Sequence, residues 1–410
     1  FLPLLTVLGA LLAWFVPVWL EAPVELYWIV RLAAGLLVLM LVASALGQIP
    51  RSVLEGENLG YKRMGLSTGL IFVGGGFTAL ALYFDTGLVG VATATLATTV
   101  LTGVFFFYIV RANVPWFGLV KPSLRAVRRF LGLSWWFLVW GFVMQLMLAS
   151  DIVILGIVDS AELVTVYSLT KYAPETLLSL VAIVVWGTMP GLGGIIGSGY
   201  LKRAIRVRSE IMSLTWLVAT VLGTTVLLWV RAFVGLWVGE QYYAGPIPTL
   251  LIMAMVMQLV VIRNDANIID LTLDIRRKVL IGVLSVILSV ALASVLIRYF
   301  NGGIVGLCVG FIAGRAILSL GYPLMIGRIL GISPLAQFKS VLRPAPITAL
   351  LFSLATILGD SVTASGWLEL ILLVGASFCG VLLLAFYSGL TGGQRTRLLG
   401  RVRRLMRPTS

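Results

Sequence analysis

Five ionisable side chains stand inside otherwise apolar runs of this sequence: Arg31, Asp151, Lys171, Glu175 and Arg315. A charge near the middle of a bilayer costs about 2.5 to 3.5 kcal/mol on insertion scales, so each is expected to face a partner or a water-filled cavity. Two kinds of chemistry follow. A guanidinium offers a fork of donors that fits a phosphate and an ammonium offers a point charge, which makes Lys171 and Arg315, with Arg31 as a weaker third, candidate anion-binding groups on a cavity wall. A carboxylate can hold a proton or a sodium ion whose binding biases one conformation, and Asp151 and Glu175 are the candidates for that coupling. The alternative is two static ion pairs, Asp151 with Lys171 and Glu175 with Arg315, that neutralise one another and lock the helices.

Depth sorts these residues. At about 1.5 Å per residue from the outer helix ends, Asp151 and Lys171 fall roughly 10 to 12 Å deep on adjacent antiparallel segments, and Glu175 and Arg315 roughly 18 Å deep, with Gln145 as a supporting polar group close to that level. Arg31 is shallower and can snorkel outward. Lys171 and Glu175 share a helix face in the stretch "VYSLTKYAPETLL". Pro174 between them removes the hydrogen bond to the carbonyl of Thr170 and is expected to kink the helix there.

The elements that carry these charges are membrane spans. The 410 residues are 60% hydrophobic and 11% charged, far from the composition of a soluble domain. Mean hydropathy is +1.07. A bilayer core about 30 Å thick takes roughly 20 apolar residues of helix, and that ruler marks about twelve spans, centred near Leu11, Leu37, Gly74, Leu96, Val143, Leu180, Ala219, Val256, Leu288, Ile312, Leu351 and Gly375. There is no histidine, and Cys308 and Cys379 each sit in an apolar run, which excludes histidine general-base chemistry and zinc sites of the His or Cys type. Both cysteines are expected to be free packing residues.

The net charge of +14 is spread over short basic clusters between spans, which argues for topology rather than nucleic-acid binding. One side collects Arg51, Lys62 and Arg63; Arg111, Lys121, Arg125, Arg128 and Arg129; Lys202, Arg203, Arg206 and Arg208; Arg263, Arg276, Arg277 and Lys278; Arg328, Lys339 and Arg343; and the tail from Arg395 to Arg407. The other holds Glu21, Glu25, Asp85, Asp159, Glu162, Glu240, Asp360 and Glu369, against only Arg231 and Arg298. The positive-inside rule then puts both termini in the cytoplasm. The tail "RTRLLGRVRRLMRP" reads as a basic surface helix drawn to anionic membrane lipid. Glycine runs at Gly74 to Gly76 and Gly191 to Gly199 lack the lysine of a nucleotide loop and read as close packing and a flexible helix end.

The chain carries an internal repeat. "YFDTGLVG" (Tyr83 to Gly90) recurs as "YFNGGIVG" (Tyr299 to Gly306), with Lys62 and Lys278 at matching distances upstream, and Trp19 and Trp237 in register to within two residues. Spans one to four then correspond to spans seven to ten, in equal orientation. The expected organisation is an N-terminal lobe over residues 1–112, a basic cytoplasmic linker over 113–130 whose Trp116, Phe117, Leu119 and Val120 can rest on anionic lipid, a six-helix lobe over 131–330, and a helix pair with a basic tail over 331–410. Spans five and six lack N-terminal counterparts, so two further helices are expected ahead of Phe1.

"LGLSWWFLVWGFVMQLMLASDIVILGIVDSAELVTVYSLTKY" (Leu131 to Tyr172), together with "VPVWLEAP", "LWVGEQYYAGPIP", "GLVGVA" and "GIVGLC", resembles the multidrug/oligosaccharidyl-lipid/polysaccharide (MOP) exporter superfamily, and within it the polysaccharide or O-antigen flippases of the Wzx type. The resemblance implies an all-α polytopic membrane protein of two pseudo-symmetric lobes. It further implies a non-enzymatic, alternating-access carrier that moves a polyprenyl-pyrophosphate glycan from the cytoplasmic to the outer leaflet of the plasma (inner) membrane. On that reading the cavity cations meet the pyrophosphate and any acidic sugars, no cofactor is bound, and transport is coupled to protons or sodium. Its partners would be the lipid-linked glycan, anionic lipids and other polysaccharide-assembly proteins, with no nucleic acid. The rivals are a peptidoglycan-precursor flippase, a MATE-type drug or cation antiporter, and, from another class, a membrane glycan polymerase or ligase, which the short external connections disfavour.

Overall fold

A computed structural model describes residues 2–19, 23–57, 59–118 and 123–405. Glu21, Leu119, Val120, Lys121 and Arg407, and the side chains of Trp19, Arg129 and Trp186, lie outside the described residues. The described residues form fourteen α-helices and no strand: α1 Leu2–Trp19, α2 Tyr27–Gly56, α3 Tyr61–Tyr83, α4 Gly87–Asn113, α5 Leu124–Val158, α6 Ala161–Gly197, α7 Leu201–Trp237, α8 Pro246–Asp270, α9 Arg276–Phe300, α10 Gly303–Leu330, α11 Pro334–Val341, α12 Pro344–Gly359, α13 Trp367–Gly389 and α14 Gly392–Leu405. Every expected span centre falls inside one of these helices. Among the described residues ten segments are long and apolar enough to cross a membrane, eleven with the bent α6, against the roughly twelve expected. The difference is α1, whose apolar part Leu5–Val18 is shorter than a span.

Two compact units divide the chain, Phe1–Pro122 and Ser123–Ser410. In the first, α1 packs on α2, and both α2 and α3 pack on α4. In the second, α7 packs on α8, and both α8 and α9 pack on α10, the same neighbour pattern. Helices α5 and α6 complete this unit by packing on α9 and on α7 and α8, and α12 and α13 pack on α7. The expected linker over 113–130 divides between the ends of two helices: α4 runs through Asn113 and α5 starts at Leu124, where the Ser123 hydroxyl accepts from the amide of Ala126. Helix α6 begins the same way, with Ser160 accepting from Leu163.

The repeat is visible in backbone detail. Asp85 and Asn301 take φ of +48° and +49°, and Gly87 and Gly303 take +61° and +47°, at matching positions of the α3–α4 and α9–α10 turns. The amides of Gly90 and Gly306 then donate to the carbonyls of Thr86 and Gly302. After α1 and α7 come short 3-10 turns at Val24–Leu26 and Glu240–Tyr242, in the same register. Gly306, Gly310 and Gly314 form a stripe at every fourth residue of α10. A Cβ at Gly310 or Gly314 would run into the backbone of Ala293 or Ser289, so α9 and α10 meet at close quarters and the rest of α10 is fixed in rotation. A Cβ at Gly74 in α3 would meet the side chain of Thr98 in α4 rather than its backbone.

Candidate functional site

The α5–α6 connection is short, so the two helices run back antiparallel and bring Asp151 level with the N-terminal half of α6. Tyr167, Lys171 and Glu175 recur at every fourth residue and share one face of α6. Lys171 Nζ lies 2.7 Å from Asp151 Oδ2, which also accepts from the Tyr167 hydroxyl at 2.6 Å. Asp151 Oδ1 accepts from the amide of Ile152 at 2.8 Å. The expected match in depth between Asp151 and Lys171 is therefore a direct contact. Asp151, Lys171 and Arg315 are 1%, 5% and 2% exposed, so all three are enclosed by helix packing in this conformation.

Glu175 is placed differently. Its side chain is 45% exposed, and Oε1 stands 3.6 Å from Lys171 Nζ, not beside Arg315. One helical turn separates Glu175 from Lys171, so its carboxylate meets the lysine of its own helix first. Arg315 comes from α10, with its rotation set by the glycine stripe, and its Nη2 donates to the carbonyl of Met147 in α5. The guanidinium carbon sits 4.9 Å from the centre of the Phe311 ring. Among the described residues no carboxylate lies within ion-pair distance of Arg315.

The remaining expected residues stand apart from this cluster. Gln145 occupies an exposed position on α5, two residues from the Met147 carbonyl. Arg31 belongs to the first unit, where its Nε donates to the carbonyl of Trp14 at 3.2 Å and its guanidinium stacks 4.0 Å over the Trp14 ring. Pro174 lies within the continuous segment Glu162–Ile183, and the break in α6, of 42°, comes further on, before Gly187–Gly197. Pro190 explains that position, since it cannot donate to the carbonyl of residue 186. Around Pro174 the chain is held by Thr170, whose hydroxyl bridges the carbonyl of Tyr242 and the amide of Ala244.

Other embedded polar groups were not anticipated. Lys278, read as a basic loop marker, is fully buried; it pairs with Asp270, sits 3.8 Å over the Trp140 ring, and its carbonyl accepts from Tyr322. Arg208 Nη2 donates to Asp265 at 2.9 Å and to Gln337 at 3.3 Å, and Gln337 donates onward to the Pro323 carbonyl, which ties α11 to α7, α8 and α10. The signal available was the two aspartates, Asp265 and Asp270, in the last turns of α8. At the opposite end of the unit, Arg231 bonds Asp360 and stands 3.9 Å from Glu240.

Among the described residues no three of His, Cys, Asp and Glu gather as a metal site. Cys308 is buried and Cys379 exposed, both as free thiols. A cation at Asp151 would have to displace Lys171 from its carboxylate. What the cluster can do is exchange partners: Lys171 has two carboxylates in reach, one buried and one exposed, and Arg315 has a carbonyl and an aromatic ring.

No family model matches the chain, and no curated protein sequence matches it. Solved structures do. A MATE in the bent conformation superposes with a TM-score of 0.62 at 14% identity, covering 83% of this chain and 77% of that one. A MATE mutant with one proline replaced by alanine gives 0.60 at 15% identity, covering 81% and 78%. At this identity the likeness establishes a shared fold, an all-helical polytopic one.

Proposed function

We propose that this chain is a non-enzymatic membrane transporter of the MOP superfamily, and that its substrate is a lipid-linked oligosaccharide carried from the cytoplasmic to the outer leaflet by alternating access. The fold shared with MATE structures supports the carrier. The anionic substrate rests on one observation: Arg315 is buried at membrane depth with a backbone carbonyl and a ring as its direct contacts, and among the described residues no carboxylate comes within ion-pair distance, Asp151 acting on it only from further off. Leaving an arginine so placed is costly unless an anion visits it, and a diphosphate suits its donor fork. In the present conformation Met147 and Phe311 close Arg315 off, so the anion reaches it only after α5 and α10 part. Lys171 then turns from Glu175, its exposed and longer contact, toward the same substrate. Protonation of Asp151 would free Lys171, which gives a route for coupling to a proton gradient.

A second reading, a MATE-type antiporter of organic cations, is favoured by the identity of the structural neighbours and by an acid, Asp151, inside the second unit. Proteoliposomes separate the two. Lys171→Gln and Arg315→Gln variants that insert normally should lose most glycan-lipid translocation. Parental rates in both variants, or ethidium uptake driven by a proton or sodium gradient without glycan-lipid movement, would replace the first reading by the second.

A further inference from the structure

A proline inside an α-helix removes one backbone hydrogen bond and sets its ring against the carbonyl four residues back, which loosens the helix there. Pro174 does this to the carbonyl of Thr170, yet α6 stays continuous over Glu162–Ile183. The support comes from outside the helix. Thr170 is fully buried, and its hydroxyl donates to the Tyr242 carbonyl at 3.3 Å and accepts from the Ala244 amide at 3.0 Å. The threonines of α4 return their hydroxyls to carbonyls of their own helix, whereas Thr170 gives both bonds to another element. That element is the connection 238–245 between α7 and α8, which carries Gly239 and Gly245 at φ of +107° and +94°. Glycine takes such angles without strain, so the connection can turn at both. On its other side the same stretch of α6 holds Asp151 through Tyr167 and Lys171, and Tyr167 packs with Ile154, Leu155, Cys308 and Phe311 in one apolar cluster.

We propose that the Thr170 clasp is a releasable latch and that Pro174 is the hinge it holds straight. When 238–245 lets go of Thr170, the part of α6 before Pro174 tilts, takes Tyr167, Lys171 and Asp151 with it, and parts α5 from α10. Thr170 is a positioning residue, acting through the angle of the helix that carries Lys171. The hinge falls between Lys171 and Glu175, so tilting separates their 3.6 Å contact while the buried 2.7 Å pair with Asp151 travels intact. That this motion admits an anion to Arg315 rests on the transport reading above; the latch itself does not.

Cys308 is fully buried in the cluster that would open, and a Cys379→Ser chain has no other thiol. The rate at which a small maleimide alkylates Cys308 in that chain, in phosphatidylcholine nanodiscs, therefore reads the opening. Thr170→Val should raise the rate about tenfold, the equilibrium effect of one lost hydrogen bond, and Thr170→Ser, which keeps the hydroxyl, should leave it unchanged. Adding Pro174→Ala should return the Thr170→Val chain to about the parental rate. Ser377→Ala, which removes a hydrogen bond from Trp229 between α7 and α13, should leave labelling unchanged and so separates unlatching from general loosening. A parental rate in Thr170→Val, a fast rate in Thr170→Ser or Ser377→Ala, or a fast rate that survives Pro174→Ala would overturn the proposal. Where Thr170→Val fails to insert, hydrogen exchange of the Cys379→Ser chain decides: every opening that lets Cys308 react must also free the Ala244 amide, and labelling faster than that amide's opening allows would overturn the latch. Labelling as expected in a chain that moves no glycan lipid would retire the transport reading and leave the latch standing; translocation by a chain whose Cys308 labelling ignores Thr170 would do the reverse.

Discussion

The four helices α1 to α4 and the four helices α7 to α10 share neighbours, turn conformations and register, yet they treat charge in opposite ways. Lys62 is on the outside of its unit and donates to Asn113, whereas its counterpart Lys278 is fully buried against Trp140 and pairs with Asp270. Arg315 stands where the first unit has Thr99, and Asp265 and Asp270 where it has Ile49 and Leu54. The small-residue stripe is Gly306, Gly310 and Gly314 in one and Gly90, Ala94 and Thr98 in the other. The two units have the same turns, while among the described residues the fully buried charges stand in the second, which also contains α5 and α6. Turn geometry depends on a few residues with positive φ, but a buried charge depends on partners from several helices, so the second property diverges more easily.

Substitutions can break or sharpen that contrast. The largest effect is expected for Lys171→Ala, which leaves Asp151 buried and unpaired. A loss of about 3 to 5 kcal/mol in unfolding free energy, read as a large fall in Tm in detergent, is the expected outcome. Next, Lys278→Met should cost on the order of 2 kcal/mol or more, because Asp270 loses its partner, while Lys62→Met should stay within about 0.5 kcal/mol. Equal effects at these two positions would erase the distinction. Gly314→Ala drives a Cβ into the Ser289 backbone and should cost about 1 to 3 kcal/mol, separating α9 from α10, whereas Thr98→Ala should be mild. The most even effect is expected at the turns: Gly87→Ala and Gly303→Ala, both at positive φ, should each cost about 1 to 2 kcal/mol. Unequal losses there would mean that the two turns are not equivalent.

The helices were legible in the sequence because span length and apolar composition are local properties. The repeat was legible because a left-handed position leaves a trace in residue type, as Asp85, Asn301, Gly87 and Gly303 show. Depth made the Asp151–Lys171 pair one of two alternatives, since a short connection makes α5 and α6 antiparallel neighbours, and the contact itself shows which holds in this conformation. Glu175 and Arg315 also matched in depth but do not pair: depth fixes height on a helix, while the rotation of α10 is set by its glycine stripe and that of Glu175 by its own lysine. The kink fell at the break before Pro190 because the loop at Tyr242 to Ala244 supports α6 near Pro174. In sequence Lys278 and Arg208 resemble loop charges, because a basic residue near a helix end looks the same whether it reaches water or an aspartate on the next helix.

Movement of an anionic glycan lipid between leaflets is the function proposed for this chain. It is tested most directly by reconstituting the full chain in liposomes with a fluorescent polyprenyl-diphosphate oligosaccharide on both leaflets and adding a membrane-impermeant quencher. The account predicts that quenching passes beyond the outer-leaflet half toward completion with the parental chain and stops near that half with Arg315→Gln. A parental chain that stops at the half, in vesicles where it is folded and inserted, would contradict it.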